Sequence, residues 1–97
     1  MKVRYRRRAQ VDIDKIHGYI DDQNPRAATE VVARIRYAAD RLGLWPYTGH
    51  VGRAPGTYEW AVVGLPYIIV YEVDDAANEV AIIGIFHGAQ DRDKPKW

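Results

Sequence analysis

Polar and apolar residues alternate in four stretches of the chain, and this pattern predicts four β-strands. In the first stretch, Lys2 to Arg8, Val3 and Tyr5 point to one side, and the other side carries Arg4, Arg6 and Arg8. The polar segment 74–78 is typical of the turn of an antiparallel hairpin between two strands rich in β-branched and aromatic residues. The three later strands are predicted at residues 57–63, 67–73 and 79–86.

Between the first and second strands, apolar residues recur every three or four positions, which predicts two amphipathic helices. The first runs from about Ala9 to Asp22. The second starts at Asn24 and Pro25, an N-cap followed by a first-turn proline, and ends near Gly43. Because the connection is short, the helices form an antiparallel hairpin. Their apolar stripes, which include Ile35 in the second helix, then cover one face of the sheet.

The hairpin of residues 67–86 is apolar on both faces, which indicates a central place in the sheet. Gly84 in its second strand indicates a β-bulge or a close approach of backbone, ligand or partner. The far side of such a strand is covered by something other than the helices, and a partner is one candidate. In the first strand one face carries Tyr67, Ile69, Tyr71 and Val73, and the other carries Ile68, Val70 and Glu72.

The order of elements predicts one α+β domain over residues 1–97. It consists of an N-terminal strand, an antiparallel helical hairpin and a three-stranded antiparallel meander, β-α-α-β-β-β, with the helices on one face of an antiparallel sheet. Residues 44–56 hold two prolines and three glycines, which predicts a loop. We expect Trp45 to pack under the helix end, and His50 and Arg53 to be exposed.

The composition is that of a globular protein with one core, since 47% of its residues are hydrophobic and 28% are charged. The absence of cysteine excludes a disulfide framework and a thiolate metal site. No apolar run approaches the roughly 20 residues of a membrane span, and no signal peptide is recognised, so we expect a cytoplasmic protein. The three histidines are not spaced as ligand pairs, so we expect no metal and no cofactor.

Both ends of the chain are basic, although the net charge is only +1. Such ends could attract nucleic acid or an acidic protein surface, or could simply be solvated. The basic residues are Lys2, Arg4, Arg6, Arg7 and Arg8 at the start, and Arg92, Lys94 and Lys96 at the end.

Among enzymatic reactions, only general acid–base cleavage of RNA finds candidate groups in this chain. The reaction needs one group to activate the 2′-OH, another to protonate the leaving oxygen, and a cation beside the phosphate. His87 and Arg53 could supply parts of this set. Glu72 would repel the phosphate if it shared their face, so the set is incomplete.

Five segments follow one another in an informative order: KVRYRRRAQVDIDKIHGYI (2–20), NPRAATEVVARIRYAADRL (24–42), APGTYE (54–59), GLPYIIVYEV (64–73) and FHGAQD (86–91). With them the chain resembles the RelE/ParE superfamily of type II toxins, on its ParE side. The resemblance implies a toxin neutralised by an antitoxin encoded beside it, whose C-terminal helix and extended segment wrap across the toxin. RelE-like members cut messenger RNA in the ribosomal A site, and ParE-like members poison DNA gyrase.

Three positions depart from the pattern of the family, which often has arginine at each. Tyr58 follows the Gly-Thr of the loop, Glu72 follows the Val-Tyr of the central strand, and Gln90 follows His-Gly-Ala. Each departure removes a cation that could stabilise phosphate, and tyrosine or glutamine offers only neutral hydrogen bonds. The departures argue against RNA cleavage and leave gyrase inhibition, which is a binding activity.

The resemblance therefore implies a ParD-like antitoxin as partner and gyrase as target. The alternatives are a ribosome-dependent endoribonuclease using His87, Arg53 and Tyr58, and a weakened toxin that only binds antitoxin. For target contact we predict Arg53, His87, Gln90, Asp91 and Arg92. For the surface that the antitoxin covers, or the core behind it, we predict Arg4, Arg6, Trp60, Tyr67, Tyr71 and Ile83.

Overall fold

Two helices pack on one face of a five-stranded sheet in the computed structural model, which describes residues 1–88. The strand order is β1-β5-β4-β3-β2. The predicted α+β class, the helical hairpin and the three-stranded meander are confirmed. The helices are α1 (Arg7–Asp21) and α2 (Pro25–Leu44), and the strands are β1 (Lys2–Tyr5), β2 (His50–Val51), β3 (Tyr58–Ala61), β4 (Tyr67–Asp74) and β5 (Glu79–His87).

Strand β1 differs from the prediction in its length and direction. It ends at Tyr5, and α1 already begins at Arg7, so Arg8 lies on a helix. β1 pairs with β5 in parallel, with Val3 opposite Val80. The helical hairpin returns the chain to the end where β1 starts, and a three-stranded meander from there leaves β5 running in the direction of β1. The sheet is therefore mixed, not antiparallel throughout.

The predicted loop after α2 contains the short strand β2. His50 pairs with Glu59 and Val51 with Tyr58, so β2 forms one edge of the sheet. The prediction that Trp45 packs under the helix end is wrong, because its side chain is 62% exposed. Beyond Trp45 the chain is bound to the sheet, because the Pro46 carbonyl accepts a hydrogen bond from the hydroxyl of the buried Tyr71.

The helix boundaries follow local chemistry at the start of α2 and tertiary packing at its end. Asn24 caps α2, because its side-chain oxygen accepts a hydrogen bond from the Ala27 amide at 3.1 Å, and Pro25 follows. The predicted end near Gly43 is confirmed, because α2 ends one residue later, at Leu44. A Cβ on Gly43 would stand 2.6 Å from the Met1 carbonyl oxygen, so this glycine lets α2 lie directly on the start of β1.

The core lies between the helices and the face of the sheet that carries Val3 and Tyr5. At the middle of the sheet, Val70 faces Gly84 and Tyr71 faces Ile82, so Ile83 is the extra residue of a β-bulge next to the glycine that indicated one. Within residues 1–88, none of the helices combines the length and apolarity needed to span a membrane. The side chains that are at most 2% exposed include Ile13, Ile35, Leu42, Ile69, Tyr71, Val80 and Ile82.

Candidate functional site

The open face of the sheet, defined as the side opposite the helices, carries two ion pairs. Arg4 Nε lies 2.7 Å from Glu79 Oε1, and Arg6 Nη2 lies 2.8 Å from Glu72 Oε1. Arg6 reaches Glu72 across β5, where the small side chain of Ala81 lies opposite Glu72. Both arginine side chains remain more than half exposed, at 60% and 58%. The predicted antitoxin residues Arg4 and Arg6 thus lie on an accessible surface of mixed charge.

Glu72 has a defined role in this arrangement. The sequence marked it as a carboxylate that would repel phosphate, and its side chain is instead engaged by Arg6. A family member with arginine at this position would place two cations side by side here. In this chain the pair neutralises both charges, so a partner that approaches the open face meets an alternation of charges and not a uniformly basic surface.

Tyr71 was predicted for the antitoxin-covered surface or the core, and the structure places it in the core. Its side chain is fully buried, so it presents no surface to a partner. Its hydroxyl donates to the Pro46 carbonyl at 2.8 Å and accepts from the Gly49 amide at 3.0 Å. Ile83, at the bulge, is also buried, at 7% exposed. Tyr71 thus holds the loop after α2 against the sheet.

Trp60 and Tyr67 remain partly exposed among the predicted antitoxin residues. Both lie on the helix side of the sheet and pack against the core. The Tyr67 ring stands edge-on to the His87 ring, with centroids 5.6 Å apart. Burial raises the pKa of Tyr67, so its hydroxyl is neutral at physiological pH. A partner could therefore reach Trp60 and Tyr67 only along the uncovered part of the helix side.

Tyr58, one of the candidate RNase residues, belongs to a stack of three tyrosines. Its ring lies over Tyr71 and meets the edge of Tyr47, with centroids 5.6 Å apart in both cases. The Tyr47 hydroxyl donates to Asp75 Oδ2 at 2.5 Å, and this hydrogen bond is the main reason that the pKa of Tyr47 is raised to about 12. The stack joins the loop after α2 to the turn between β4 and β5.

The three candidate RNase residues are not assembled into one site. Tyr58 pairs with Tyr71 and His87 pairs with Tyr67, which puts them four residues apart along β4 and two strands apart across the sheet. Standard strand dimensions make this a Cα separation of about 16 Å. The Arg53 amide donates to Glu59 Oε2 at 3.2 Å, which places Arg53 on the open-face side, away from Tyr58 and His87.

His87 itself is exposed at the end of β5, as a target-contact residue must be, and Arg53 is also exposed. The other predicted target-contact residues, Gln90, Asp91 and Arg92, lie outside the described residues. In the part of the chain that the structure describes, no group of three or more histidine, aspartate or glutamate side chains could hold a metal ion.

Asp12 was missed in the sequence. Its Oδ2 accepts a hydrogen bond from the Ile85 amide at 2.9 Å, and its Oδ1 lies 3.3 Å from Arg8 Nε. β1 ends opposite Ile82, so at Ile85 the side of β5 that faces away from β4 has no neighbouring strand. Asp12 takes the place of that strand. The two partners are 73 residues apart, and the sequence carries no local signal for such a contact.

The second missed feature is an exposed apolar cluster after α2. Leu44, Trp45, Tyr47 and Val51 are each more than half exposed. Trp45, Pro46, Tyr47 and Thr48 line a shallow depression at this place. The sequence did carry a signal for this exposed cluster. Two aromatic residues, Trp45 and Tyr47, lie in a loop that contains proline and glycine, and such loops seldom bury large side chains.

Comparison with known proteins agrees with this architecture. Residues 3–92 match the model of the family described as the ParE toxin of the type II toxin–antitoxin system parDE. Y4kP of Sinorhizobium fredii, a protein named as a proposed toxin, is 37% identical over 89 residues, which are 92% of this chain and 90% of that protein. Toxin RelE2 of Caulobacter vibrioides is 37% identical over 83 residues, which are 86% of this chain and 90% of its own.

Two solved structures have the same fold. A chain of the chromosomal ParDE system of P. aeruginosa aligns with a TM-score of 0.79 at 21% identity, over 90% of this chain and 95% of that one. A chain of the toxin–antitoxin complex RelBE2 of Mycobacterium tuberculosis aligns with a TM-score of 0.64 at 24% identity, over 89% and 95%. At these identities the structures support the fold alone, while the family model covers nearly the whole sequence. This chain belongs to the ParE toxin family of type II toxin–antitoxin systems.

Proposed function

We propose that this toxin is neutralised by a ParD-like antitoxin and, when free, inhibits DNA gyrase by protein contact without catalysing a reaction. The observation that carries the proposal is the separation of about 16 Å between Tyr58 and His87, derived from the strand pairing. Acid–base cleavage of RNA requires both proton-transferring groups within hydrogen-bond reach of one phosphate. The Cα atoms of the two residues are about 16 Å apart, the Tyr58 ring lies between Tyr47 and Tyr71, and the His87 ring stands against Tyr67, so the two groups are not assembled around one scissile bond.

The surroundings of the candidate groups support the same proposal. Tyr58 has its ring held between Tyr47 and Tyr71, and this stack fixes it as part of the fold. Glu72 forms an ion pair with Arg6, so the positive charge of this arginine is already neutralised on the open face. Neither arrangement offers the concentrated positive charge that stabilises a phosphate during cleavage.

Antitoxin binding is proposed for the open face and the adjoining side of the sheet. Arg4 and Arg6 are exposed there, and Trp60 and Tyr67 supply partly exposed aromatic surface on the helix side. Mixed polar and aromatic surfaces of this kind suit a partner that wraps around the molecule. The structural neighbours come from systems whose titles pair a toxin with an antitoxin. A partner of that class is therefore proposed for this chain.

Gyrase contact is proposed for His87 and Arg53, together with Gln90, Asp91 and Arg92. His87 is exposed at the end of β5, and Arg53 is exposed in the loop before β3. His87 lies on the helix side of the sheet and Arg53 on the open-face side, and both are exposed, so a large target could reach either without disturbing the core. The proposal assigns them to recognition and not to proton transfer.

The test combines two assays on the same protein preparation. Purified gyrase is given relaxed plasmid with increasing toxin, and messages are mapped by primer extension after toxin induction in cells. We expect loss of supercoiling or trapped cleaved DNA, with intact messages. Ile35→Asp serves as an unfolded control. His87→Ala should raise the toxin concentration needed for half-inhibition by about tenfold, the effect of losing one contact worth about 1.4 kcal/mol.

The two alternatives give different results in the same experiment. Cuts within codons and unaffected gyrase would overturn the proposal in favour of ribosome-dependent RNA cleavage. Intact messages and active gyrase, with antitoxin still bound in a pull-down, would identify a weakened toxin that only sequesters its antitoxin. Each outcome is distinguished by a readout that the others leave unchanged.

A further inference from the structure

Strand β5 is divided into two parts by the β-bulge at Ile83. Before the bulge, residues 79–82 pair with β1 on one side and with β4 on the other. After the bulge, residues 84–87 have β4 as their neighbouring strand and no strand on the other side. A bulge interrupts the hydrogen-bond ladder and bends the strand that carries it. The pairing with β1 therefore does not fix the direction of the second part of β5.

Asp12 of α1 holds the outer edge of this second part. Its Oδ2 accepts a hydrogen bond from the Ile85 amide at 2.9 Å, and its side chain is only 14% exposed. Its other oxygen, Oδ1, lies 3.3 Å from Nε of Arg8, one turn earlier on the same helix. The adjacent Ile13 is buried in the core and fixes this turn of α1 against the sheet. The Asp12 carboxylate thus connects a firmly packed helix to the edge of β5.

The contact lies close to the exposed end of the strand. His87 follows Ile85 by two residues, which is about 7 Å along a strand, and its side chain points to the same side of the sheet. From β4, Tyr67 pairs with His87 and stands edge-on to its ring. Loss of the Asp12 contact would leave the partly buried Ile85 amide without this acceptor. The end of β5 could then shift relative to α1.

We propose that Asp12 is a positioning residue for target contact, because its hydrogen bond to the Ile85 amide fixes the end of β5 and presents His87 to gyrase in one orientation. The inference rests on the proposed gyrase target and adds a residue that does not touch the target. A preorganised contact binds with a smaller ordering cost, so its loss weakens binding without removing a direct contact. The hydrogen bond and not the charge is the required feature.

Gyrase inhibition by three variants tests the hydrogen bond. Asp12→Ala removes the acceptor and should raise the toxin concentration needed for half-inhibition about fivefold. Asp12→Asn keeps an acceptor oxygen and should stay within about twofold of the parent protein. Asp14→Ala is the matched control, because Asp14 is exposed on the same helix and accepts a hydrogen bond from Gln10 within α1. Circular dichroism shows whether each variant is folded under the assay conditions.

Amide hydrogen exchange measured by NMR follows the local effect in the toxin alone. In Asp12→Ala the Ile85 amide should exchange at least about tenfold faster, because it has lost its acceptor. The Val80 amide is the internal reference, since Val80 is fully buried in the part of β5 that pairs with β1. Equally faster exchange of both amides would show a general loss of stability and would overturn the positioning role.

A double-mutant cycle separates positioning from a general loss of structure. If Asp12 acts through His87, adding Asp12→Ala to His87→Ala should leave half-inhibition near the tenfold increase of His87→Ala alone, and not near about fiftyfold. Arg53 lies on the open-face side, so Asp12→Ala and Arg53→Ala should multiply their effects. Multiplication in both pairs would show that Asp12 does not act through His87.

The failures of this inference and of the proposed function are distinguishable. Asp12→Ala that inhibits gyrase as strongly as the parent protein would overturn the positioning role and leave the gyrase proposal in place. Asp12→Asn that is as weak as Asp12→Ala would assign the effect to the negative charge and would overturn the role of the hydrogen bond. A parent protein that leaves gyrase fully active would contradict both proposals.

Discussion

Different interactions dominate on the two faces of the sheet. On the helix side, Ile35 from α2 and Ile69 and Ile82 from the sheet are completely buried. On the open face, Arg4 and Arg6 are paired with glutamates and yet remain more than half exposed. The helix side is closed by apolar area removed from water. On the open face, charges that water still reaches link β1 to β5 and β4, while Val70 and Glu59 are buried nearer β3.

The difference teaches where this fold can change at little cost. Burying one large aliphatic side chain stabilises a fold by about 1.5–3 kcal/mol, whereas an exposed ion pair contributes about 0–1 kcal/mol. Glu72, a departure from the family pattern, stands on the open face, and Arg6 accommodates it. The same replacement on the helix side would bury an unpaired charge. Recognition can therefore diverge on one face while the other preserves the fold.

The largest effect is expected for Ile35→Asp on the helix side. Ile35 is fully buried, and an aspartate would place an unpaired charge in the core, at a cost of more than about 4 kcal/mol. We expect a domain unfolded at room temperature by circular dichroism. Ile35→Val, which removes one methylene, should cost only about 1 kcal/mol. A folded Ile35→Asp variant that binds antitoxin would contradict the burial of this position.

A smaller effect is expected for Tyr71→Phe, which tests the polar link within the helix side. The change leaves the Pro46 carbonyl and the Gly49 amide without their partner and should cost about 1–3 kcal/mol in urea unfolding. The control is Tyr58→Phe, which keeps the ring stack and should change stability by less than about 0.5 kcal/mol. Equal effects of the two variants would show that the Tyr71 hydroxyl does not hold the loop.

The same variant changes the response to alkaline pH. Burial raises the pKa of Tyr71 above its ordinary value of 10.0, so the fold favours the neutral phenol. That contribution is present below the unfolded-state pKa and is lost as pH rises through the folded-state value. Tyr71→Phe should therefore lose less stability than the parent protein between about pH 9 and 11. Tyr5 and Tyr67 also have pKa values raised by burial, so part of the loss should persist.

Sequence patterns predicted the elements whose signal is local. β4 and β5 were each predicted to within one residue, because β-branched and aromatic residues in an apolar run bounded by a polar turn determine them. Asn24 and Pro25 likewise marked the start of α2 correctly. The alternation of β1 correctly put Arg4 on the face opposite Val3, which is how part of the candidate site could be predicted.

The features that escaped prediction depend on contacts between distant residues. The Tyr71 hydroxyl donates a hydrogen bond to the Pro46 carbonyl, 25 residues away in the sequence. The alternation of polar and apolar residues could not show that this tyrosine lies in the core and not on the surface. The glycine at position 43 correctly marked the end of α2, but the sequence did not show that α2 lies directly on Met1 at this point. The parallel pairing of β1 with β5 depends on the end of the sheet to which the helical hairpin returns the chain. No single segment of the sequence determines that position.

The smallest effect on stability is expected on the open face, for Glu72→Gln. The change breaks the ion pair with Arg6 and should alter the free energy of unfolding by less than about 0.5 kcal/mol, because both side chains are accessible to water. A destabilisation above about 1.5 kcal/mol in urea unfolding would contradict the expectation that the ion pairs of the open face contribute much less to stability than the buried side chains of the helix side. Antitoxin affinity should respond more clearly. Glu72→Gln removes the carboxylate that neutralises Arg6. If the proposed antitoxin contacts Arg6 through an acidic side chain, Glu72→Gln should tighten binding at low salt and Arg6→Ala should weaken it, and the difference should shrink as salt screens the charges.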